Sequence, residues 1–179
     1  MEIPVTQEDC YSTHYNELFD LYQKSLFCDL WAQAIQWWGD SPWPSDQLEL
    51  LRARTLSQLG NDRLCHALLW KLWRKQPRLK GLAPLIVSLY YRRRGPLVAL
   101  RMLPLIEKHA QPDHKDLADI RCEKAEILAR FRDFSGAEEC LGDLETTGDN
   151  WQLLSVVEVK FLQDDYAGAL DIINKILKR

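Results

Sequence analysis

Arg132-Asp133-Phe134-Ser135-Gly136-Ala137 is answered 32 residues later by Asp164-Asp165-Tyr166-Ala167-Gly168-Ala169. In both copies an aromatic residue stands three places before an alanine. An aliphatic residue follows four places after it, Leu141 in one copy and Ile173 in the other. An earlier echo, Trp31-Ala32-Gln33-Ala34 followed by Trp38, keeps the same spacing. Steps of three and four place side chains on one face of a helix. A small residue between bulky ones suits the point where two antiparallel helix axes come nearest.

Carried along the chain, this register marks five second-helix anchors: Ala34, Cys65, Ala99, Ala137 and Ala169. Twelve residues before each lies a first-helix contact: Tyr22, Ala53, Val87, Ala125 and Val157. The anchors are 31, 34, 38 and 32 residues apart. Trp38, Leu69, Leu103, Leu141 and Ile173 continue the second-helix face, as do Leu72, Ile106, Leu144 and Ile176 one turn on. Turn residues fall between these runs. Gly60-Asn61-Asp62 separates the two helices of the second unit and Gln76-Pro77 closes it. Gly95-Pro96 divides the third, with Pro96 suited to a first helical turn. Asp46 and Glu49 are spaced for a capping box. Pro84 is expected to delay a helix start, and Pro104 to kink or end the helix that follows Gly95.

The composition agrees. Hydrophobic residues make up 46% and charged residues 27% of the 179, enough for a core and too apolar for a disordered chain. No run sustains the alternation of a half-buried strand, none is long enough to span a bilayer, and the acidic N-terminus lacks a signal-peptide layout. A cytoplasmic protein is expected. Five cysteines form no CxxC pair and read as reduced thiols, mostly packed as small apolar groups.

On these residues the chain resembles the tetratricopeptide repeat family over roughly 15–179, with Ala53, Gly60 and Pro77 the fullest match. The resemblance implies an all-α, right-handed solenoid of about five helical hairpins, at 15–45, 46–79, 80–115, 116–148 and 149–179, after an N-terminal extension, 1–13. Cys65 in place of alanine, the large Tyr22 and the stretched third interval depart from the pattern. A helical bundle or another hairpin array remains the alternative. Family members are scaffolds whose first helices line a groove for a peptide or partner helix. The resemblance places Gln23, Phe27, Arg54, Gln58, Ser88, Arg92, Glu126, Arg130, Glu158 and Leu162 there. The lysines and asparagines that clamp chaperone tails are absent, with Phe19, Gln23 and Arg54 in their places.

Charge is unevenly spread. Residues 1–62 carry a net −7, residues 63–108 a net +10 and residues 109–179 a net −6. Arg92-Arg93-Arg94 is the densest basic run, with Arg74, Lys75, Arg78 and Lys80 upstream. It reads either as solvated surface paired with acidic neighbours or as a docking site for an acidic protein or peptide. Nucleic acid is disfavoured by the overall charge of −3 and the lack of a reader motif. Trp31 and Trp38 fall on packing positions and Trp70 beside one. Trp37, Trp43 and Trp73 fit the register less well and are candidate interface anchors. In the last helix Leu170, Ile172, Ile173, Ile176 and Leu177 spread over more than one face. That end is expected to be covered by a second copy, a partner or further chain.

No enzyme is expected. His14, His66, His109 and His114 are scattered, with no metal-site spacing, phosphate loop or GxSxG, and no cofactor or metal is implied. Asp164-Asp165 and Glu138-Glu139 read as solvated carboxylates. A helical subunit built to dimerise is the alternative to a scaffold.

Overall fold

A computed structural model of the chain describes residues 7–110 and 113–179, and within them every side chain except those of residues 7–12, 110 and 114. All regular structure among these residues is helical, without a strand. The helices are α1 (Gln7–Gln23), α2 (Phe27–Trp38), α3 (Asp46–Gln58), α4 (Asp62–Lys75), α5 (Leu82–Arg94), α6 (Pro96–Ala110), α7 (His114–Arg130), α8 (Phe134–Leu141), α9 (Leu144–Thr147), α10 (Asn150–Leu162) and α11 (Tyr166–Leu177). None of the described helices is long and apolar enough to cross a membrane. The chain divides into two compact units, Met1–Leu82 and Ala83–Arg179.

Helices adjacent in sequence pack as pairs: α1 on α2, α3 on α4, α7 on α8 and α10 on α11. One turn chemistry recurs between paired helices. Ser25, Gly60, Arg132 and Asp164 each take a positive φ, between 59° and 78°. The next residue then donates its N–H to the carbonyl five places back: Leu26 to Leu21, Asn61 to Leu56, Asp133 to Leu128 and Asp165 to Lys160, at 2.8–3.0 Å. This left-handed stop satisfies a carbonyl that the helix end would otherwise leave bare. Gly95, φ 87°, holds the same place before Pro96, which has no N–H to give. The following helix starts at once, because Asn61, Asp133 and Asp165 accept the N–H of Leu64, Gly136 and Gly168. The glycine of the repeated Asp-x-x-Gly leaves room for the capping carboxylate, since a Cβ on Gly136 would lie 2.6 Å from Asp133 Oδ2.

The five anchors Ala34, Cys65, Ala99, Ala137 and Ala169 are all buried, as are Ala53, Val87 and Ala125 opposite them in sequence register. In the N-terminal unit Leu18, Leu30, Ala34, Trp43, Leu48 and Leu51 form one core. In the C-terminal unit a second core joins Ala125, Ala129, Ala137, Leu141, Leu153, Val156 and Ile172.

Several expectations are corrected. Tyr22 and Val157 are only half-buried; the neighbouring Val156 takes the inner position on α10. On α11, Ile172 is fully buried while Ile173 turns outward. Ser45, not Asp46, caps α3, accepting the N–H of Leu48. Glu49 instead accepts the backbone N–H of Trp43 at 2.9 Å. That bond holds Trp43 inward: it is core, not an interface anchor, and its ring lies 5.3 Å from Trp38 and 6.2 Å from Trp31. Pro84 lies in the first turn of α5, where no N–H is required, and does not delay it. Of the two outcomes expected at Pro104, ending is overturned: α6 runs on to Ala110, and Ile106 is buried beyond the proline. α8, the partner of α7, breaks at Gly142, where Arg121 of α7 donates to the carbonyls of Cys140 and Leu141 at 2.6 and 3.1 Å. Leu144 is buried nonetheless. Cys65 and Cys122 are buried, Cys140 is half-buried and Cys28 is exposed. α1 begins at Gln7, inside the stretch read as an extension; residues 1–6 and the side chains of Cys10 and His114 lie outside the described residues.

Candidate protein-binding face

α7 carries the polar residues that matter most in the C-terminal unit. Asp113 caps it, accepting the N–H of Asp116 at 2.8 Å. Asp116, Asp119, Glu123, Glu126 and Arg130 then recur at steps of three and four, so they lie along one stripe. Another side of the helix is apolar, with Ile120, Cys122, Ala125, Ile127 and Ala129 buried, while Arg121 and Lys124 lie off the stripe. The core therefore holds α7 firmly and presents the stripe between two neighbours.

α5 supplies one neighbour. Ser88 lies within hydrogen-bonding reach of Glu123, and Arg92 brings its positive charge near the same carboxylate. The Arg130 guanidinium stands over the Tyr91 ring, 5.8 Å from its centre. α10 supplies the other. Gln152 closes a capping box with Asp149 and donates from Nε2 to Asp119 at 2.9 Å. Ser155 reaches Glu126, and Glu158 accepts from Arg130 at 2.6 Å.

Burial governs the electrostatics. It pushes Glu123 up to about 7, aided by the negative charge of Glu126 and only partly offset by Ser88 and Arg92. Burial also raises Glu126, against the hydrogen bond from Ser155, and raises Asp119. Next to them the buried Cys122 thiol is pushed up to about 12, so it is a packed group and a poor nucleophile. Burial is the largest cause raising all three carboxyls, although Lys115, Arg92 and Arg130 stand near Asp119, Glu123 and Glu126 respectively.

The sequence-derived site residues divide between the two units. Ser88, Arg92, Glu126, Arg130 and Glu158 come together on the α5–α7–α10 face. Arg93 and Arg94 complete the last turn of α5, exposed, where positive charge suits the helix C-terminus. Gln23, Phe27, Arg54 and Gln58 belong to the N-terminal unit. Phe27 is not on a first helix: Ser25 closes α1, Phe27 opens α2, and its ring meets Tyr22 edge-on. Arg54 is a structural tie, donating to the Gly81 carbonyl at 3.3 Å. Leu162 is half-buried at the end of α10. Asp119, Glu123, Tyr91, Gln152 and Ser155 were missed by the repeat register. The signal for the first two was present, as carboxylates at 116, 119, 123 and 126 in steps of three and four. No group of three or more metal-ligating side chains converges among the described residues.

Set against protein-family models, curated proteins and solved structures, the chain matches none of them.

Proposed function

We propose that the chain is a protein-interaction scaffold of the tetratricopeptide kind, without chemistry of its own, whose C-terminal unit holds a segment of another protein along α7. The recurrent hairpin turn and the buried small-residue anchors support the repeat reading. One observation carries the binding role: Glu123 and Glu126 stand together, half-buried, on a face flanked by Ser88, Tyr91 and Ser155. Keeping two carboxylates in such a place costs stability, because burial and mutual repulsion both oppose their charge. A lysine or arginine from a bound segment would remove that cost.

The partner is accordingly a basic protein segment, rather than the acidic one suggested by the arginine triplet, since Arg92 already has Glu123 near it. A nucleic-acid backbone would be repelled by the same carboxylates. Affinity purification tests the reading with three chains: the wild type, Glu123→Gln with Glu126→Gln, and Arg92→Glu with Arg93→Glu and Arg94→Glu. Loss of the captured protein with the glutamine pair supports the basic-segment reading. Loss with the arginine reversal alone favours an acidic partner. Retention by both variants would remove this face from consideration.

A further inference from the structure

A cleft of about 350 Å³ opens in the N-terminal unit between α4 and the loop that leads into α3. Pro42, Pro44, Leu68 and Leu72 supply its apolar walls, and Trp43 and Glu49 line it as well. Small-molecule sites are of this kind, apolar clefts of roughly 300–1,000 Å³ with a few placed polar groups. Two polar atoms of the lining residues stand out. Trp43 Nε1 and Glu49 Oε2 are both shut off from bulk water and meet no hydrogen-bond partner in the protein. Native proteins seldom leave such groups unmatched, so a donor and an acceptor beside one cleft point to a ligand that pairs with both. The charges around them are otherwise matched. Lys75 Nζ holds Asp46 Oδ1 at 2.7 Å. Arg52 stands 3.7 Å from Glu49 Oε1, the oxygen that accepts the Trp43 backbone N–H. Lys71 also lines the cleft, exposed, and pairs with no acid among the described residues.

We propose that this cleft binds a free α-amino acid with an apolar side chain. An unmatched acceptor, an unmatched donor and an unpaired cation call for one ligand with an ammonium, a carboxylate and an apolar body. The ammonium donates to Glu49 Oε2. The carboxylate accepts from the Trp43 indole N–H and from the Lys71 ammonium, and the side chain lies against Leu68, Leu72 and the two prolines. A simple carboxylic acid would leave Glu49 unmatched and set like charge near it. A simple amine would leave Trp43 and Lys71 unmatched, and the interior of a peptide backbone offers neither charge. Charge-assisted bonds at both ends would orient so small a molecule. The cleft belongs to the N-terminal unit and the carboxylate stripe of α7 to the C-terminal one, so this proposal and the scaffold reading fail independently.

Ligand-detected NMR titration of the 179-residue chain with the apolar amino acids, leucine and phenylalanine among them, tests it. At least one should bind, with a single site per chain. Its N-acetyl and carboxamide derivatives, each lacking one of the two charges, should bind about tenfold more weakly. Lys71→Ala, at an exposed position, should weaken binding by a similar factor and leave the melting of the free chain unchanged. Glu49→Gln should weaken the amino acid more than its N-acetyl derivative; circular dichroism checks that this variant is folded, since Glu49 also holds the Trp43 backbone. Failure of every apolar amino acid to bind at millimolar concentration, as expected if water alone answers the two buried atoms, overturns the proposal. So does equal binding of the singly charged derivatives, or wild-type affinity in the Lys71→Ala chain.

Discussion

Glu123 shows how the burial of one residue links stability to pH. Its carboxyl is held up to about 7, first by burial and then by Glu126, against an ordinary value of 4.5. An acid whose folded value is raised binds its proton more tightly folded than unfolded. Folding stability should therefore fall as pH climbs from about 4.5 to 7, and level off above. The expected loss is about 2 kcal/mol, less than the bare shift implies because the group keeps some solvent contact. Glu123→Gln cannot ionise. It should melt about 5 °C higher than the wild type at pH 8 and coincide with it at pH 4, read by thermal denaturation at several pH values. A wild-type chain whose stability rises over that interval would show that Glu123 is solvated. The tryptophans make the complementary point. Trp43 is the core residue because Glu49 holds its backbone inward, while Trp151, at no marked register position, is the exposed one.

The hairpin is the element on which the fold depends, and its turn and its close-approach point can be tested separately. Ser25, Arg132 and Asp164 occupy a left-handed conformation where the equivalent turns use Gly60 and Gly95. A side chain there crowds the following carbonyl, so Ser25→Gly should stabilise the chain by about 0.5–1 kcal/mol in urea unfolding. Equal or lower stability would mean that the hydroxyl contributes more than the backbone loses. The close approach is tested at Ala137, which is fully buried. Ala137→Leu should cost about 1–3 kcal/mol through overpacking, while Ala167→Leu, at an exposed position of the parallel motif, should cost almost nothing. Similar losses at both sites would show that side-chain size is not what brings these helices together. α8 shows an element ending early for a tertiary reason: Arg121 takes up its last carbonyls, and Gly142 turns the chain away.

At the scale of the molecule, partner capture and proton release should be coupled. A cation seated against Glu123 favours the ionised carboxylate, so binding expels a proton while the pH lies below about 7. Affinity should rise between pH 6 and 7 by up to about tenfold per unit, and Glu123→Gln should abolish the slope. Calorimetry in two buffers of different ionisation heat counts the proton directly; affinity that falls with pH would contradict a basic partner. The helical class, the positions of the turns and the small buried anchors were legible in the amino-acid order. They follow from periodicity and backbone chemistry that act within a few residues: Asp133 and Asp165 cap their own helices wherever those helices lie. The carboxylate stripe was legible as spacing but not as a site, because its character comes from what α5 and α10 set beside it. Which of Ile172 and Ile173 faces inward, and how far Glu123 is cut off from water, depend on neighbours distant in the chain. Packing decides such matters, since burial and charge coupling belong to the assembled surface and not to any single segment.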